Sequence, residues 1–136
     1  MTALPSSTLS WVLAAHKPEP LARFYGALFK TEPRPGLSGS HWLVKLPGGG
    51  LLQIYRPSRT RTMPAAAESL APCLHHHANA SGGPALAQLK PLVDAARLLG
   101  ATVVEPARQE AFGAECWLAD PEGNRLLFLI TTASYS

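Results

Sequence analysis

The chain has 136 residues, about the commonest size for a single domain and long enough to bury one core. Its 46% hydrophobic and 15% charged residues exclude a disordered chain, and 13 Pro with 11 Gly exclude a bundle of long helices in favour of short elements and many turns. A net charge of +3 is mild, and the one basic cluster, Arg56, Arg59 and Arg61, sits on a Pro/Ser/Thr-flanked stretch that reads as a solvated loop rather than a nucleic-acid surface.

Met1 to Ser10 has neither the basic nor the apolar segment of a secretory leader, and no apolar run approaches the ~18 residues of a membrane span. Cys73 and Cys116 lie far apart and match no CxxC spacing, so they read as reduced thiols. The expected location is cytoplasmic, with no membrane and no nucleic acid among the partners.

In chain order, Thr8–Ala15 is the first strand candidate. Pro18–Phe29 opens on prolines, which a first helical turn tolerates, and Leu21, Phe24, Tyr25 and Leu28 recur at helical spacing. A short extended piece follows at Thr31–Arg34. His41–Tyr55 is apolar strand, Pro-Gly turn, apolar strand, which reads as a β-hairpin. Residues from about 57 to about 70 read as a linker. Pro72–Ala78 is the next strand candidate and contains His75, His76 and His77. A polar loop, Asn79–Pro84, leads to a second helix over Ala85–Leu99, with Leu86, Leu89, Val93, Ala96 and Leu99 as its apolar face and Gly100 as its C-terminal glycine. Pro91 inside this helix predicts a kink or a later start near Lys90. Thr102–Glu105 is extended, and Glu115–Leu129 forms a second hairpin.

The two hairpins repeat each other. Pro47 and Pro121 lie 74 residues apart, as do Gly49 and Gly123, and Leu52 and Leu126. The order in each half is β-α-β-β-β, and the halves span about 8–56 and about 71–132.

Ala119-Asp120-Pro121-Glu122-Gly123-Asn124-Arg125-Leu126 resembles the aspartate-proline-acid-glycine-asparagine hairpin of the vicinal oxygen chelate superfamily, which includes glyoxalase I, extradiol dioxygenases and fosfomycin- and bleomycin-resistance proteins. Arg23-Phe24-Tyr25-Gly26-Ala27-Leu28-Phe29 resembles that family's phenylalanine-tyrosine helix. The resemblance covers nearly the whole chain. It implies an α+β fold of two βαβββ modules, forming a curled mixed sheet around a concave cup, and a homodimer. It also implies metal ligands on the first and last strands of each module, converging on one ion with open positions for substrate oxygens.

Carried onto this chain, those positions are Ser10 and Gln53 in the first module and Leu127 in the second. Gln53 is permissive, Ser10 is a poor ligand and Leu127 is none. His16 reads as a loop histidine. His75 and His77 share one face of their strand, with His76 on the other, so a divalent metal, if bound, would fall to His75, His77 and Gln53; the register of that strand is open. Alternation along the strands sends His41, Leu43, Lys45, Gln53 and Tyr55 of the first half toward the ligand. In the second half it sends Glu115, Trp117, Arg125 and Leu127, with His75 and His77. Trp117 reads equally as core. Glu115 pairs with Lys45 or Arg125 on one reading and is a weak candidate base on the other.

The expected function is a glyoxalase/bleomycin-resistance-like protein that holds a small neutral or anionic molecule with a degenerate metal site and no cofactor. One alternative is a metal-dependent lyase, isomerase or dioxygenase using His75, His77 and Gln53. Another is a non-catalytic structural or partner-binding domain.

Overall fold

The computed structural model describes residues 10–58, 63–64 and 71–132. Arg59 and Arg61 of the basic cluster, and Thr8 and Leu9 of the first strand candidate, lie outside them. The chain divides into two compact units, Met1–Pro64 and Ala65–Ser136.

In the first unit, β1 (Trp11–Ala14), α1 (Pro18–Phe29), β2 (Arg34–Pro35), β3 (His41–Lys45) and β4 (Leu51–Tyr55) follow in order. They build a four-stranded sheet, β1-β4-β3-β2, in which β1 runs parallel to β4 and the other neighbours are antiparallel. The second unit contains β5 (Cys73–His77), α2 (Ala85–Leu99), β6 (Thr102–Glu110), β7 (Gly113–Ala119) and β8 (Arg125–Thr131). Its sheet order is β5-β8-β7-β6, with β5 parallel to β8. The two βαβββ units therefore share one topology. Their registers also match: Trp42 faces Ile54 as Cys116 faces Phe128, and Leu43 faces Gln53 as Trp117 faces Leu127.

Each helix covers one face of its own sheet. α1 packs on β3 and β4, burying Leu21, Phe24 and Tyr25 against Trp42, Val44 and Ile54. Arg23, paired with Glu19, lies over the Trp42 ring at 5.6 Å, its stem covering the edge of this core. α2 packs on β6, β7 and β8, and buries Ala85, Leu89, Val93 and Ala96 against a layer that includes Leu118, Leu126 and Phe128. Leu86 and Leu99, expected on this apolar face, are instead exposed, at 37% and 40%. The buried set recurs every four, four and three residues, and those two leucines fall off that stripe.

Pro91 does not delay α2, which begins at Ala85. The amide proton it lacks would have met the carbonyl of Ala87, and both residues lie on the exposed side, where water replaces the lost partner. The loop before α2 is closed by Gln88. Its side chain accepts from the Asn79 amide at 2.8 Å and donates to the carbonyls of Asn79 and Gly83, each at 2.8 Å. β6 also runs further than expected, to Glu110 rather than Glu105, passing through Pro106. It is an edge strand with register shifts on both sides of Glu105, which is where a residue without an amide proton fits a sheet.

The turn repeat extends to individual hydrogen bonds. Gly49 N–H donates to the Leu46 carbonyl and Leu46 N–H to the Gly50 carbonyl, each at 3.1 Å; Gly123 N–H donates to the Asp120 carbonyl at 2.9 Å and Asp120 N–H to the Asn124 carbonyl at 2.8 Å. Gly123 takes a φ of 91°, which favours glycine. The second turn has an additional brace. The buried Asp120 carboxylate accepts from the amides of Glu122 and Asn124 at 2.8 and 3.0 Å and from the Asn124 side chain.

Two substitutions test this reading. Asp120→Ala strips the acceptor from two backbone amides, and should lower unfolding free energy by roughly 2–4 kcal/mol in denaturant titrations, with Asp120→Asn losing less. Gly26→Ala should gain about 1 kcal/mol of helix propensity, yet its Cβ would sit 2.7 Å from the Thr31 carbonyl oxygen and 2.8 Å from Pro33 Cδ. The crowding, on the order of 1–3 kcal/mol, should win, giving a net loss in the same titration.

Candidate functional site

A strand sends successive side chains to opposite faces, so with the helix on one side every second residue of each sheet faces away from it. In the first unit that open face carries Ser10 ahead of β1, His41, Leu43 and Lys45 on β3, and Leu51, Gln53 and Tyr55 on β4. All are half-buried except Lys45, which is exposed. In the second unit it carries Cys73, His75 and His77 on β5, Glu115 and Trp117 on β7, and Arg125, Leu127 and Leu129 on β8. Trp117 is half-buried rather than core. His16 is exposed in the turn between β1 and α1.

On the first open face three side chains form one hydrogen-bonded row. His41 Nε2 lies 2.9 Å from Gln53 Oε1, and Gln53 Nε2 donates to Ser10 Oγ at 2.8 Å. The row is anchored behind His41, whose Nδ1 accepts the Leu37 backbone N–H at 2.8 Å. The two family ligand positions of this unit, Ser10 and Gln53, thus do meet, but as each other's partners.

On the second open face the register of the histidine strand, left open by the sequence, is fixed. Cys73 lies level with Leu127 as Val12 lies level with Gln53. Two residues earlier, the counterpart of Ser10 is therefore Ala71. His75 lies level with Leu129, and His77 with Thr131, beyond that position. The His75 and His77 ring centroids are 4.8 Å apart, and His75 Nε2 is 2.7 Å from Thr131 Oγ1.

A resident metal does not fit the positions that the family uses. Ala71 and Leu127 offer no donor atom, Ser10 is a neutral hydroxyl already accepting from Gln53, and Gln53 has one oxygen lone pair taken by His41. No carboxylate stands at any of the four. Among the described residues no three or more His, Cys, Asp or Glu side chains group so as to hold a metal ion.

Glu115, 15% exposed, is held by Arg108, which donates from Nη2 at 2.6 Å and from Nε at 2.9 Å; Lys45 and Arg125 had been the expected partners. Arg125 instead lies 3.8 Å from Glu105. The hydrogen bond from Arg108 to Glu115, with the charges of Glu115, Glu110 and Glu105, pushes the guanidinium further up from its ordinary value. Arg108 is the residue that sequence reasoning missed, because the strand was expected to stop at Glu105. The alternation Glu105, Arg108, Glu110, read across a bulge, was the available signal.

These geometries belong to a recognisable class, the vicinal oxygen chelate superfamily, whose duplicated βαβββ architecture the chain reproduces. Residues 10–129 match the family model for the glyoxalase-like domain, and the chain belongs to that family. The fold is also similar to solved structures. SA1046 from S. aureus has a TM-score of 0.72 at 14% identity, with 93% of this chain and 95% of that one covered. FosX, the fosfomycin resistance protein of Listeria monocytogenes, gives 0.68 at 12% identity, covering 95% and 96%. A glyoxalase/bleomycin resistance protein from Albidiferax ferrireducens T118 gives 0.64 at 17%, covering 89% and 95%. No curated protein matches the sequence.

Cys73 is exposed on the second open face, yet local burial raises its thiol above the ordinary 9.0. A raised value means less thiolate at neutral pH. Iodoacetamide should therefore label Cys73 more slowly than a free cysteine peptide at pH 7–8, with the rate still climbing through pH 9. A plateau below that pH would contradict the assignment. Cys116, buried and also raised by burial, should label only on unfolding.

Proposed function

We propose that the chain binds a small neutral or anionic molecule against its open sheet faces and does so without the metal of its family. The observation that carries this reading is the content of the four family positions: Ser10 bonded to Gln53 in one unit, Ala71 and Leu127 in the other. The side chains of Ala71 and Leu127 offer no lone pair to an ion, while the open faces keep the mixed apolar and polar make-up of a ligand surface. Tyr55, Leu43, Trp117, Leu127 and Leu129 are half-buried and apolar or aromatic, and they stand among polar side chains that include His41, Lys45, His75, His77, Glu115 and Arg125. The net charge of +3, with Lys45 and Arg125 on these faces, favours a neutral or anionic ligand over a cation. The names of the structural relatives, bleomycin resistance and fosfomycin resistance, agree with small-molecule binding as the theme. Two free thiols, one exposed, support a reducing compartment.

Glu115 serves here as a positioned carboxylate rather than a base, since Arg108 already engages it with two donors. Its role is to hold Arg108 over the second face.

The reading is tested by intrinsic tryptophan fluorescence against a panel of neutral, carboxylate-bearing and cationic aromatic molecules. Neutral or anionic members should give saturable quenching that Trp117→Phe reduces. Saturable binding by the cationic members alone would overturn the proposal.

The 4.8 Å approach of the His75 and His77 rings favours a second reading, in which this pair supplies two ligands to a divalent metal in an enzyme. Elemental analysis of untagged protein separates the two. The binder reading expects far less than one metal per chain, unchanged by His75→Ala with His77→Ala. Stoichiometric metal lost in that double variant would overturn the metal-free reading and favour the second.

A further inference from the structure

The row of hydrogen bonds on the first open face has a direction. A backbone amide can only donate, so the Leu37 N–H, 2.8 Å from His41 Nδ1, marks that nitrogen as a bare acceptor. The ring proton therefore sits on Nε2 and is donated to Gln53 Oε1 at 2.9 Å. This orients the Gln53 amide, carbonyl toward His41 and NH2 toward Ser10, and the NH2 donates to Ser10 Oγ at 2.8 Å. The Ser10 oxygen is thus an acceptor within the row, and its one proton remains to be given. Among the described residues no acceptor takes it.

Every donor in this row points the same way, from the Leu37 backbone toward Ser10. Such aligned bonds polarise one another, and each strengthens the next donor. Its neighbours reinforce this. Leu43 stands beside Gln53 on one side and Val12, itself 66% exposed, on the other, and neither side chain offers the row a competing polar partner. A cation approaching Ser10 meets a proton that no other described residue accepts. An oxygen lone pair meets a polarised donor.

We infer that the Ser10 hydroxyl, driven by the Leu37–His41–Gln53 relay, is a donor site for a carbonyl or carboxylate oxygen of the bound molecule. The site occupies a position that the family resemblance assigns to a metal ligand, and it would polarise a ligand oxygen by a hydrogen bond instead. Gln53 and His41 are positioning residues in this scheme; neither touches the ligand oxygen. The inference rests on the ligand-binding reading above and specifies one contact within it.

The test is NMR on the full chain, with acetate and acetone as oxygen acceptors and methylammonium as a donor-only cation. Long-range proton–nitrogen spectra of the unliganded protein should show His41 as the Nε2–H tautomer. Acetate and acetone should shift the Gln53 side-chain amide and the His41 Nε2–H signals along saturable curves, and methylammonium should not. Ser10→Ala should weaken both responses by about tenfold or more, and Ser10→Thr, which keeps a hydroxyl, should restore them. An Nδ1–H tautomer, or undiminished shifts in Ser10→Ala, would overturn the inference. So would equal shifts from methylammonium. Acceptor binding with the Gln53 and His41 signals unmoved would also overturn it, while leaving ligand binding itself intact. Absence of binding by every neutral and anionic molecule in the fluorescence panel would remove both.

Discussion

A sheet covered by a single helix has two unlike faces, and this asymmetry governs both halves of the protein. The backbone pleat gives each strand residue one face or the other. The helix-covered face must be apolar, since burial there supplies the folding free energy, and it is filled by Trp42, Val44 and Ile54 in one unit and Leu118, Leu126 and Phe128 in the other. The open face is released from that demand. It can hold histidines, a glutamine, a glutamate and an arginine without disturbing the core, provided each finds a partner. His41, Gln53 and Ser10 find one another, and Glu115 finds Arg108.

The same asymmetry explains how two copies of one unit agree in fold and differ in chemistry. Turn residues are constrained by backbone geometry. Both hairpins keep a proline, a glycine and the same pair of backbone hydrogen bonds, with Asp120 adding side-chain support to the second. Gln53 and Leu127 occupy matching places on open faces, where replacing an amide by a methyl-bearing side chain costs no core packing. A ligand position is therefore much easier to lose than a turn. The first unit retains a polar row and the second presents Leu127 and Trp117.

Several departures from the sequence reading have one origin, the difference between a residue's type and its surroundings. Pro91 and Pro106 look like element breakers. Each is tolerated because its missing amide proton would have pointed to an exposed helix side or an edge-strand irregularity. Leu86 and Leu99 have helical spacing but fall beside the buried stripe. The register of His75 and His77 depended on which residue of β8 lies level with Cys73, and a parallel pairing between strands far apart in sequence leaves no local mark.

The sequence by itself determined the duplication, the hairpins, both helices and the alternation that sends His41, Gln53, Trp117 and Glu115 to the open faces. These follow from local rules, namely turn chemistry and side-chain periodicity, which act over a few residues. Tertiary structure alone decided the partners. It joined Ser10 to Gln53 across 43 positions of chain, put Ala71 rather than a histidine at the matching place in the second unit, and gave Glu115 to Arg108. Partnership depends on strand pairing and register, and those are set by the packing of whole sheets rather than by any residue's neighbours in sequence.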